Sequence, residues 1–175
     1  MPWNFPFWQL FRFGAPALMA GNAVALKHAP NVPRCAQAIE QLGIEAGLPQ
    51  GLLVNLFAEH EQIDAIIGTE SVAAVSFTGS TTAGGLVASA AGRHLKKCVL
   101  ELGGSDPFVV LEDANLEEAA RAGSASRLLN SGQSCIAAKR FIVVEQVADD
   151  FLSALERALK QAVVGDPLQP DTTVG

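Results

Sequence analysis

The strongest constraint on how this chain can fold is a rhythm that fills its first hundred residues. Short, almost wholly apolar runs alternate with amphipathic stretches. The runs 23–27, 52–56, 72–77 and 98–102 read as strands. Between them, 34–46, about 59–67 and 82–91 carry helical patterning, the first stopping at Gly47. Strand, helix and strand in this order build β-α-β units on a parallel sheet. Strands so apolar leave no face for water, as expected when helices cover both sides. The fold class is therefore α/β, with a parallel, doubly wound sheet.

The rhythm breaks at Gly103-Gly104-Ser105-Asp106-Pro107, which reads as a hinge between residues 1–102 and 103–175. Beyond it, 108–111 and 141–144 read as strands and 115–129 as a helix. A last helix is expected over 146–163, with Phe151, Leu152, Leu155 and Leu159 on one face and Gly165-Asp166-Pro167 ending it. Charge and cysteine usage exclude several function classes. Eighteen acids against 12 bases give a net charge of -6 with no long basic run, so no nucleic-acid partner is expected. No apolar run reaches the roughly 18–20 residues of a membrane span, and the first residues lack the basic and apolar parts of a signal peptide. Cys35, Cys98 and Cys135 are odd in number and widely spaced, which argues for free thiols and a cytoplasmic protein. No motif calls for a metal.

Several residues stand where chemistry is carried out. Phe77-Thr78-Gly79-Ser80-Thr81-Thr82 runs from a strand end into a helix start, where backbone N–H groups and the helix dipole suit an anionic phosphate. It is neither a G-x-G-x-x-G turn nor a P-loop, since Gly85 stands where the latter needs Lys. Lys27 lies at the carboxyl end of the first strand, where α/β sheets bind ligands. Cys135 follows Gly132-Gln133-Ser134 in a turn after a helix, open enough for a nucleophile. Cys98 in a strand and Cys35 in a helix read as core fillers. The Gly-Ser turn has a plain rival as a structural joint and Lys27 as a solvated cation; three further polar residues, Arg12, Glu101 and Asn4, read by themselves as a solvated cation, a solvated charge and the cap of a helix starting near Pro6.

Taken together, Pro2-Trp3-Asn4-Phe5-Pro6, Glu101-Leu102-Gly103-Gly104 and Gly132-Gln133-Ser134-Cys135 resemble the aldehyde dehydrogenase superfamily, and the resemblance runs along nearly the whole chain. It implies Cys135 as the thiol nucleophile and Glu101 as the general base. The Asn4 amide and the Cys135 N–H become the oxyanion donors. It also implies NAD or NADP as cofactor, with Trp3, Lys27, His28, Ala29, Pro30, Gly79, Ser80 and Leu102 in the cofactor-binding set. Many NAD-preferring relatives carry a Glu where Pro30 stands, so the choice between the two cofactors stays open.

Arg12 lies eight residues after Asn4, about two turns along the same face if the segment is helical. Members acting on succinate semialdehyde have an Arg at this offset for the distal carboxylate, so a small, carboxylate-bearing aldehyde is the expected substrate. Ala137 occupies the place of a second cysteine that forms a redox switch in other members. The resemblance makes 1–102 part of a dinucleotide-binding domain and 103–175 the first part of the catalytic domain. The whole would be an enzyme more than twice this length and a homo-oligomer, the isolated chain being inactive. Two rivals remain: a non-catalytic remnant that binds a dinucleotide or a partner chain, and a CoA-acylating relative, a class that generally lacks the Glu base.

Overall fold

The computed structural model describes residues 1–175 as two compact units, 1–103 and 104–175. The first contains α1 (Trp8–Met19), β1 (Val24–Leu26), α2 (Pro33–Glu45), β2 (Leu53–Asn55), α3 (Ile63–Gly68), β3 (Ala74–Gly79), α4 (Thr81–Arg93) and β4 (Lys97–Leu102). The second contains β5 (Pro107–Val110), α5 (Leu116–Leu128), β6 (Arg140–Val143) and α6 (Ala148–Leu159).

Every strand pair is parallel, and each is closed by a crossover helix, as parallel neighbours require. The strands are joined two by two. β1 pairs with β2 from Val24 opposite Leu53, β3 with β4 from Ala74 opposite Lys97, and β5 with β6 from Pro107 opposite Arg140. Each pair has its own small core. Leu10, Val24, Leu26, Ala36, Ile39 and Leu53 pack around β1–β2. Ile67, Ala90 and Ala91 cover Val75 and Cys98 of β3–β4. In the second unit Val110, Ala120, Phe151, Ala154 and Leu155 are buried together, with Phe108 and Phe141 against them.

Three expectations are corrected. The first-unit strands do not share one hydrogen-bonded ladder, since β1–β2 and β3–β4 are separate pairs. Nor are all of them covered on both sides: Val99 is 58% exposed while Leu26 is 2% exposed. The reason is that α3 and α4 both pack on the side of β3–β4 that carries Val75 and Cys98. Finally, the last helix stops at Leu159 rather than running to 163. The chain there turns through Asp166, whose carboxylate accepts from Leu168 N at 2.9 Å, and Val163 instead accepts a backbone bond from Thr173.

Candidate active site

Strand alternation builds the first half of the site. Side chains on β3 and β4 point to opposite faces with period two. Val75 and Cys98 face the α3–α4 core, so Ser76, Thr78, Val99 and Glu101 share the other face. The register sets Ser76 beside Val99 and Thr78 beside Glu101. Across from them, α1 presents Gln9, Arg12, Phe13 and Pro16, spaced i, i+3, i+4 and i+7 along one helical face. The eight side chains line an open cleft of about 200 Å³. The opposite face of α1, with Leu10, Ala17 and Leu18, enters the β1–β2 core and fixes the helix in place.

Two expected site residues meet in this pocket. Arg12 Nη2 lies 2.8 Å from Glu101 Oε1, and both side chains are about half exposed (48% and 50%). Asn4 is placed differently from expectation. Helix α1 begins at Trp8 with Phe7 as its N-cap residue, so Asn4 precedes the helix and does not continue the Arg12 face. The cause is Pro6, which disfavours helical backbone in the residue before it. Asn4 is half-buried, and Trp3 beside it is 46% exposed.

The strand ends toward the expected dinucleotide site are also well defined. Ser80 is the N-cap of α4, its Oγ accepting from Ala83 N at 3.2 Å. A Cβ on Gly79 would stand 2.5 Å from the Phe77 ring, so a side chain here would have to push that ring aside. One on Gly84 would stand 2.4 Å from Leu102, which shows how closely α4 approaches β4. At the end of β1 the Lys27 carbonyl accepts from the Met1 ammonium at 2.7 Å, and Ala29 N donates to the Met1 carbonyl at 3.0 Å. Burial, with help from the nearby Lys27 charge, brings the Met1 amine down to about 6. The His28 ring is 5% exposed, with Nδ1 3.4 Å from the Met1 carbonyl and Nε2 buried without a hydrogen-bond partner. Burial lowers its pKa as well. The His28 ring thus faces inward, while Pro30 is exposed.

Cys135 belongs to the second unit, in the loop between α5 and β6. The loop opens with three consecutive left-handed residues, Asn130, Ser131 and Gly132, an uncommon conformation for the first two. Cations then anchor its carbonyls. Arg127, in the last turn of α5, donates from Nη1 to Ala138 O at 2.9 Å and from Nη2 to Gly132 O at 2.5 Å. Lys139 Nζ donates to Gly104 O at 2.6 Å and to Cys135 O at 3.1 Å. Ser126 Oγ accepts from Ala138 N at 3.0 Å. Ser134, Ala137 and Ala138 are buried, and Cys135 between them is half-buried. All three cysteines are free, and burial raises the pKa of the Cys98 thiol.

Sequence reasoning missed Gln9, Ser76, Thr78, Arg127 and Lys139. The first three were reachable by carrying the helical and strand periods outward from Arg12 and Glu101. No cluster of His, Cys, Asp or Glu side chains is placed to hold a metal, and no helix is long and apolar enough to cross a membrane.

The profile of the aldehyde dehydrogenase family matches residues 1–175. The chain is 51% identical, over 174 residues, to the NADP(+) succinate-semialdehyde dehydrogenase of Deinococcus radiodurans, covering 99% of this chain and 36% of that protein. It is 49% identical over 175 residues to the NAD(P)+ succinate semialdehyde dehydrogenase of Escherichia coli, covering all of this chain and 38% of that protein. The crystal structure of succinic semialdehyde dehydrogenase from Streptococcus pyogenes with NADP+ superposes at a TM-score of 0.96 with 43% identity, over 99% of this chain and 38% of that one. The chain therefore spans well under half the length of the proteins it resembles.

Proposed function

The chain belongs to the aldehyde dehydrogenase family, and on that premise we propose that it serves the NAD(P)-dependent oxidation of succinate semialdehyde to the corresponding carboxylic acid. The observation that carries the substrate is Arg12. Its guanidinium lines a small pocket and already holds a carboxylate, that of Glu101, at 2.8 Å. A cation so placed suits an aldehyde with a distal carboxylate. Relatives at 49–51% identity that bear the succinate-semialdehyde dehydrogenase name support the same reading.

In this mechanism the Cys135 thiolate adds to the aldehyde carbon, and the Asn4 amide and Cys135 N–H stabilise the resulting oxyanion. A dinucleotide fits the residues present. Gly79 leaves the backbone bare, the α4 N-terminus offers its amides and partial positive charge to a phosphate, and Lys27 adds a cation at the carboxyl end of β1. When bound, NAD or NADP supplies hydride acceptance, which leaves the acyl group on sulfur as a thioester. Glu101 then takes a proton from water as the water oxygen bonds to the acyl carbon and the Cys135 thiolate leaves. The half-exposed carboxylate is open to solvent, as a base acting on water needs.

A full-length enzyme carrying this segment tests the reading. With succinate semialdehyde and NAD or NADP it should form NAD(P)H at ordinary enzyme rates, ~1–10³ per second. Limiting iodoacetamide should label Cys135 ahead of Cys35 and Cys98, with activity lost in step. Early labelling of Cys98, tracking inactivation, would remove Cys135 from its role.

A further inference from the structure

We propose that Arg12 and Glu101 form a latch that a carboxylate-bearing aldehyde opens: the incoming carboxylate takes the Arg12 guanidinium away from Glu101 and leaves Glu101 free to act on water. The inference rests on the substrate reading above and adds to it a coupling between recognition and catalysis.

The pocket makes the exchange specific. Its walls are Gln9, Phe13, Pro16, Ser76, Thr78 and Val99, none of them charged. Arg12 is thus the pocket's single cation and Glu101 its single anion, and they neutralise each other at 2.8 Å. An anionic ligand entering the 200 Å³ space meets a guanidinium already partnered. One carboxylate can satisfy the guanidinium fork by itself, while two on the same cation repel each other. Binding of the ligand carboxylate therefore works against the Glu101 contact. The pair is suited to being exchanged because both side chains are half exposed, where an ion pair is weak. A buried pair would resist opening, since separating it strands a charge in a dry interior. A neutral aldehyde brings no competitor and leaves the latch shut.

Coupling of this kind is reciprocal, so it is readable from binding alone. Removing the Glu101 charge must strengthen carboxylate binding by the factor the pair withholds. The probe is succinate, with butyramide as the uncharged comparison, titrated into this 175-residue chain and followed by the amide shifts of Thr78 and Glu101. Glu101→Gln should bind succinate about two- to fivefold more tightly than the wild type, the range a half-exposed pair can supply. Arg12→Gln should lose that binding, and adding Glu101→Gln to it should restore none. Arg12→Lys, which keeps the charge but not the fork, should fall between. Butyramide should not distinguish the variants.

Unchanged succinate affinity in Arg12→Gln would overturn the carboxylate reading of Arg12 and the latch with it, as would the absence of any succinate shift in both wild type and Glu101→Gln. Weakened binding in Arg12→Gln without any gain in Glu101→Gln would leave the substrate reading standing and overturn the latch.

Discussion

Glu101 leaves a strand with its side chain half in water and meets Arg12 at 2.8 Å, a contact between two flexible side-chain ends. Cys135 sits in a loop whose carbonyls on both sides are held by cations, Gly132 and Ala138 by Arg127 and Cys135 itself by Lys139. In the first arrangement a functional group is aimed by a partner that can be exchanged. In the second the backbone is tied down, and the side chain inherits its position from it. The difference suits the two roles proposed for them: a nucleophile benefits from a fixed approach, whereas a base that acts only on the second half-reaction can be held back until it is needed.

The contrast is broken or sharpened by four measurements. The largest effect is expected from Arg127→Met. It removes two charge-assisted bonds to part-buried carbonyls and should cost the second unit about 2–4 kcal/mol in denaturant unfolding. Lys139→Met should cost less, about 1–2 kcal/mol, because its bond to Gly104 is exposed. It should also change the iodoacetamide rate at Cys135 relative to Cys35, and Lys139→Arg should restore much of that rate. A Cys135 rate indifferent to Lys139 would show that the loop needs no such anchor.

A pH effect of about 1 kcal/mol, a value discounted for partial exposure, should separate the two units. The His28 side chain, buried in the first unit, lies below its ordinary value of 6.5 because burial disfavours its charged form. As pH drops below 6.5 the unfolded first unit binds a proton that the folded one does not, so its stability is full above 6.5 and falls as pH drops through that value. In the second unit the displaced group is Glu156, a carboxyl held low by bonding to Lys160, which titrates below this window. Amide exchange read unit by unit at pH 8 and 6 should show protection falling in the first alone; equal falls would assign the effect elsewhere.

Smallest of all, Arg12→Gln should change the stability of the first unit by less than about 1 kcal/mol, as its partner is a half-exposed carboxylate. A cost as large as that of Arg127→Met would erase the distinction between the two ways of holding a functional group.

Much of the fold was legible because its signals are local. Helical spacing located α2, α4 and α5, and apolar runs located the strands, although β3 lies at 74–79 rather than 72–77. Helix α1 starts at Trp8, two residues beyond the expected Pro6, and Pro6 disfavours helical backbone at Phe5, so Asn4 does not extend the Arg12 face. Of the candidate site, Glu101 and Arg12 were singled out separately, for different tasks. Their meeting depends on α1 lying over the open face of β3–β4, which no pattern within α1 announces.

By itself the amino-acid sequence determined the parallel α/β class, the order of elements and the family to which the chain belongs, since all three rest on side-chain periods and short motifs. Only the tertiary structure decided that the strands bond two by two, that Glu101 is paired with Arg12, and that Arg127 and Lys139 anchor the Cys135 loop. The physical reason is that the anchoring bonds end on backbone carbonyls. Every residue has one, so nothing in the sequence marks which of them a distant cation will reach.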